Sequence, residues 1–113
     1  MTQEKELVGA STALLILGVL AKSPDYGYQI VKRINQEAET IFQWQEGTVY
    51  PLLHKLEEEG WIRSQWETAE NGRKRKYYYI TSEGKETLES KVKQWKEFSG
   101  VINRIMEVSS HAG

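Results

Sequence analysis

The stretch Gly47 to Ile80, GTVYPLLHKLEEEGWIRSQWETAENGRKRKYYYI, changes its hydrophobic period at Gly60, and that change decides the fold. Upstream of Gly60, Val49, Leu52, Leu53 and Leu56 recur at helical spacing, so a helix is expected from an N-cap at Thr48 through Glu59. Pro51 stands three positions past that cap, where no intrahelical donor would be lost. Gly60 is placed to end the helix in a left-handed conformation. Beyond it the period falls to two. Trp61, Arg63, Gln65 and Glu67 alternate with Ile62, Ser64, Trp66 and Thr68, and Tyr77 to Thr81 is rich in strand formers. Between these runs, Ala69 to Arg73 contains Asn71-Gly72, a hairpin-turn signal. A helix followed by a two-stranded ribbon is expected.

Working outward, Leu7, Ala10, Leu14, Leu17 and Ala21, widened by Val8, Leu15 and Val19, predict a largely buried first helix that ends at Ser23-Pro24. Asp25 is expected to cap a second helix from about Tyr26 to Glu39, with Tyr28, Val31, Ile34 and Ala38 facing inward. Ile41, Phe42 and Trp44 make the next connector too aromatic for a solvated linker, so it should pack on the core. Downstream, Thr81 or Ser82 can cap a final helix running to about Val108, roughly 40 Å at the helical rise. The order is three helices, a hairpin and a long helix. This is a mainly α fold with a small β-hairpin: a winged helix-turn-helix domain over residues 1–81 and a C-terminal dimerisation helix over 82–113.

Composition bounds what such a chain can do. At 113 residues it holds one core, and 39% hydrophobic residues suffice to fold it. The absence of cysteine and the presence of only two histidines, His54 and His111, argue against disulfides, metals and cofactors. The longest apolar run, Ala13 to Ala21, is about half of a bilayer span, and no cleavable leader precedes it, so a cytoplasmic location without membrane contact is expected. The net charge of −1 gives no general pull toward nucleic acid. Its distribution does: Arg73, Lys74, Arg75 and Lys76 are consecutive cations, while Glu57, Glu58 and Glu59 gather negative charge upstream.

Two segments therefore suit double-stranded DNA. The third helix presents Thr48, Tyr50, Pro51, His54 and Lys55 around its leucines. Hydroxyls and amides near a helix N-terminus can bind phosphate, a lysine can neutralise phosphate or reach guanine, and Pro51 or the Thr48 methyl can touch a thymine methyl. The same residue types also fit the solvated side of a core helix. Four adjacent cations at a hairpin tip call for an anionic partner or full solvation, and phosphate is such a partner. No catalytic arrangement competes. Glu57, Glu58 and Glu59 diverge around a helix and form no acid/base pair, and no phosphate-loop, dinucleotide or metalloprotease spacing occurs, so an enzyme is not expected.

The run Gly47 to Ile62, together with Gly72 to Tyr78 and Tyr26-Gly27-Tyr28, resembles the PadR family of bacterial transcriptional regulators over nearly the whole chain. The length is similar to that of the small subfamily with a single C-terminal helix. The resemblance implies a homodimeric repressor that presents two winged helices to a pseudo-palindromic operator. It nominates Tyr26, Thr48, Tyr50, Pro51, His54, Lys55, Arg73 and Lys74 as DNA contacts, with Arg75 and Lys76 completing the basic wing. Many members carry proline where this chain has Lys74, which makes the present wing more basic. By periodicity Tyr28 should pack inward, and Tyr50 could do either.

The final helix carries Leu88, Val92, Trp95, Ile102 and Met106 in a stripe, with Phe98, Val101 and Ile105 beside it. One helix cannot bury that stripe alone, so a homodimer is expected. Some similar small regulators hold flat aromatic compounds between paired tryptophans at the dimer centre, which nominates Trp95 and Phe98 for a small aromatic effector; an ordinary interface tryptophan is the alternative. The runner-up for the whole chain is a winged-helix protein-interaction module without sequence-specific DNA binding.

Overall fold

The first helix buries Ile16, Leu17 and Leu20, so of its expected stripe only Leu17 enters the core; Leu14 and Val19 are half-buried, Leu15 and Ala21 are exposed, and the side chains of Leu7, Val8 and Ala10 lie outside the described residues. The computed structural model describes the backbone of residues 2–38 and 43–112, and side chains over 12–38 and 43–107. In chain order the elements are α1 (Thr2–Lys22), β1 (Asp25–Tyr26), α2 (Gly27–Ala38), α3 (Glu46–Glu58), β2 (Ile62–Thr68), β3 (Lys74–Ile80) and α4 (Ser82–Ala112). One core joins them: Ile16, Leu17 and Leu20 of α1, Ile30, Val31 and Ile34 of α2, Val49, Leu53 and Leu56 of α3, Ile62 of β2 and Tyr78 of β3. Full burial stabilises each large aliphatic by about 1.5–3 kcal/mol, so the three helices and the sheet are held by a shared term.

The junction between α1 and α2 differs from the expected cap. Asp25 and Tyr26 form a short strand on β3, with Asp25 opposite Tyr78 and Tyr26 opposite Tyr77, so the expected ribbon is a three-stranded antiparallel sheet in the order β1-β3-β2. Asp25 is therefore not a helix cap. Its Oδ1 accepts from the Tyr26 amide, and its Oδ2 meets Arg33 at 3.2 Å. Arg33 also donates to the carbonyls of Val19, at 2.9 Å, and Ser23, at 3.1 Å, satisfying the free end of α1. The inward face of α2 is Ile30, Val31 and Ile34, whereas Tyr28 is 56% exposed, against the expectation that it packs inward. Because α2 begins at Gly27, Tyr28 lies in its first turn, off the face that Ile30, Val31 and Ile34 bury.

Trp44 packs as expected: its indole donates to Thr12 of α1, and Asn35 of α2 exchanges two hydrogen bonds with its backbone, at 2.7 and 3.0 Å. Ile41 and Phe42 lie outside the described residues. α3 starts earlier than the sequence predicts. Its N-cap is Gln45, whose carbonyl accepts from the amides of both Thr48 and Val49, so Thr48 lies inside the first turn and Pro51 inside the helix. A proline there removes the bond that would otherwise reach the Gly47 carbonyl. At the other end Gly60 takes φ 81°, its amide bonds the Glu57 carbonyl and the Trp61 amide bonds that of Leu56, the paired pattern of a Schellman stop.

The β2–β3 hairpin pairs Ile62 with Ile80 through Thr68 with Lys74. Its turn is closed by the Gly72 amide on the Ala69 carbonyl and the Ala69 amide on the Arg73 carbonyl. Thr81 then caps α4 as expected, its hydroxyl accepting from the Gly84 amide at 3.0 Å and donating to the Gly60 carbonyl at 2.7 Å. A Cβ on Gly84 would come within 2.0 Å of the Trp61 carbonyl oxygen, so only glycine lets α4 leave the sheet this closely. Its 31 residues reach about 46 Å, which accounts for the elongated 62 × 30 × 27 Å envelope.

Candidate nucleic-acid interface

On α3, Tyr50, His54 and Glu57 follow one another at helical spacing and face the sheet, while Thr48, Pro51 and Lys55 are exposed beside them. Glu57 ties that stripe to the hairpin. It accepts from the Ser64 hydroxyl of β2 at 2.5 Å and lies 3.9 Å from the Lys76 ammonium of β3. Both members of the ion pair are about one-third exposed, so the pair adds little stability; the hairpin is held against α3 by the core that Ile62 and Tyr78 share with Val49, Leu53 and Leu56.

Tyr50 is seated by a close approach to α2. A Cβ on Gly27 would fall 2.7 Å from the Tyr50 ring, so the ring occupies space that only glycine leaves at the start of α2. The result is an open groove of about 310 Å³ between the start of α2, α3 and the hairpin. Six expected DNA contacts line it together: Tyr26, Tyr50, His54, Lys74, Arg75 and Lys76. Thr48, Pro51 and Lys55 stand on the exposed surface of α3, and Arg73 is exposed at the hairpin turn.

The cations are presented differently along the hairpin. Arg73 and Lys74 are exposed, and the Arg73 amide is held by the Asn71 side chain at 3.0 Å. Arg75 lies over the Tyr26 ring, 4.2 Å from its centre, and Tyr26 meets Tyr77 edge-on at 5.5 Å. Lys76 is half-buried, between Glu57 and the Tyr78 ring. The Glu57 charge therefore offsets Lys76, leaving Arg73, Lys74 and the stacked Arg75 as the principal positive groups.

Three tyrosines of the sheet and α3 have hydroxyls that titrate above the ordinary phenol range. Burial, then the charges of Glu46 and Tyr78, pushes the Tyr50 hydroxyl above the usual phenol range. Burial and the Glu57 carboxylate do the same to Tyr78. On the outer face of the sheet, the hydrogen bond from Tyr79 to Glu67 is the main cause of a raised Tyr79, with Arg63 stacked over the ring acting the other way. A neutral phenol donates a hydrogen bond, which is what a phosphate oxygen accepts. Such a groove offers donors and cations for an anionic, ridged ligand. It contains no nucleophile and base in contact, and among the described residues no cluster of histidine and carboxylates could hold a metal ion.

Sequence reasoning missed Tyr28 and Trp66, which also line the groove. Trp66 is 66% exposed. The signal for it was present, since alternation puts Trp66 on the same strand face as Ile62 and Ser64, but that face acquires meaning only once α3 is known to lie against it.

The model of the PadR-like transcriptional regulator family matches residues 16–90, which span α1 from its buried half through the groove to the start of α4. An uncharacterised protein of Lysinibacillus sphaericus is 37% identical over 93 residues, covering 82% of this chain and 85% of that protein. Among solved structures, a PadR-like transcriptional regulator of Bacillus cereus is 30% identical with a TM-score of 0.79, covering 89% of this chain and 96% of its own. A PadR family transcription regulator of Clostridium difficile is 34% identical with a TM-score of 0.75, covering 84% and 97%. With this fold, a basic hairpin and a family match over most of its length, the chain belongs to the PadR-like family of transcriptional regulators, winged-helix DNA-binding proteins rather than enzymes.

Proposed function

We propose that the chain is a homodimeric repressor that occludes a pseudo-palindromic operator, with residues 1–81 reading DNA and 82–113 joining the two copies. The observation that carries this reading is the groove in which Tyr26, Tyr50, His54 and Lys74 converge from three separate elements. In it the start of α3 enters the major groove, Thr48, Pro51 and Lys55 address base edges and nearby phosphates, and Arg73 to Lys76 follow the backbone. Such a protein works in the cytoplasm, where the DNA is; no described helix is long and apolar enough to cross a membrane. Footprinting the purified chain on DNA upstream of its own gene tests it. Two protected half-sites about one helical turn apart are expected, and no protection beyond that of random duplex, from a folded protein at low salt, would point instead to a protein-interaction module.

Dimerisation is supported by the outer half of α4. Leu88 packs on the core of its own chain and Val92 lines the cleft between α1 and α4, whereas Trp95, Phe98, Val101, Ile102 and Met106 are 44–59% exposed. A second copy of α4 would cover that face. The Trp95 and Phe98 rings lie 6.3 Å apart and tilted by 46°, an aromatic pair that a flat effector could meet at the dimer centre. Planar cationic dyes should then quench emission in the parent chain and not in Trp95→Ala. Equal quenching in both would reduce Trp95 to an interface residue.

A further inference from the structure

We infer that Trp66 is a DNA contact, packing its indole against the deoxyribose face of the strand that passes between α3 and the wing. This rests on the DNA-binding reading above and adds an uncharged element to it. Trp66 exposes 66% of its surface, the most of any large hydrophobic residue among those described. A single exposed aromatic is ordinary; its position is not. Ser64, two residues earlier on the same strand face, bonds Glu57 of α3, so this face of β2 looks toward the third helix. Trp66 continues that face toward the hairpin tip, opposite Lys76 in the ladder, and lines the groove with Tyr50, His54 and Lys74. The indole thus stands between cations that attract phosphates and hydroxyls that donate to them, where a backbone's apolar sugar edge would lie. A contact to the sugar edge would position the protein on the duplex irrespective of base.

The chemistry separates this contact from the cationic ones. An indole on a sugar displaces water and no counterion, so it strengthens binding without adding to the salt slope. The test is the affinity of the parent chain, Trp66→Ala and Trp66→Phe for a duplex of the DNA upstream of its own gene, each across a salt series. Trp66→Ala is expected to bind about tenfold more weakly at every salt concentration, with a parallel slope, and Trp66→Phe to recover most of the loss. Since Trp66 lies outside the core, Trp66→Ala should melt with the parent. Parent-like affinity of Trp66→Ala overturns the contact, as does a loss accompanied by a flattened slope, which would make the residue a support for the lysines. A parent chain that binds no duplex overturns the DNA-binding reading itself, so the two failures are distinct.

Discussion

Gly27 shows how one absent atom can shape a groove. With no Cβ it admits the Tyr50 ring to a position 2.7 Å from where that atom would be. Gly27→Ala should therefore push Tyr50 out of the groove. Tyr50 is 39% exposed and has room to swing, so we expect a stability change within about 1 kcal/mol and a drop in DNA affinity of about tenfold, measured by melting and by titration. Unchanged affinity would mean that Tyr50 does not touch DNA. At this scale the sequence was readable where one residue type has one physical use. Gly60 and Thr81 took the roles that their chemistry suggested, a left-handed stop and a helix cap. Tyr28 and Thr48 did not, because each suits two environments: a tyrosine can pack or line a groove, and a threonine can cap a helix or sit in its first turn. The choice was made by neighbours distant in sequence.

At the scale of elements, periodicity located each helix and both long strands, since a buried face must repeat with the geometry that buries it. It could not find β1. A two-residue strand has no period, and Asp25 with Tyr26 becomes one only because Tyr77 and Tyr78 of β3 are there to pair with it. The groove was legible in part for the same reason: the basic run and the third helix are local signals, while Trp66 and the latch from Glu57 to Ser64 and Lys76 require the packing of α3 on β2. The stripe on α4 was legible as apolar, but not its division into an inner part on its own core and an exposed outer part. A prediction belongs to that outer part. Ile102→Glu should leave the core intact and raise the dimer dissociation constant at least a hundredfold, by about 3 kcal/mol, because symmetry buries the new charge twice. Sedimentation at micromolar concentration reads the result, and a variant that stays dimeric would place the interface elsewhere.

For the whole molecule, the near-neutral total charge hides a division of labour. Carboxylates such as Glu57 sit on the α3–wing junction and offset Lys76, whereas Arg73 and Lys74 project at the tip with no ion pair among the described residues. On the proposed reading, the field presented to DNA would come from those few projecting groups and not from the net charge of −1. In the proposed dimer the long α4 would fix how two such surfaces are spaced, so that two copies would engage two half-sites where one would bind weakly. The most direct test of this account is the dependence of operator affinity on salt, compared between the parent chain and the double variant Arg73→Ala, Lys74→Ala. The account predicts a steep parent slope that flattens in the variant by about 0.9 for each lost phosphate contact, with weaker binding to all sequences. An unchanged slope would contradict it.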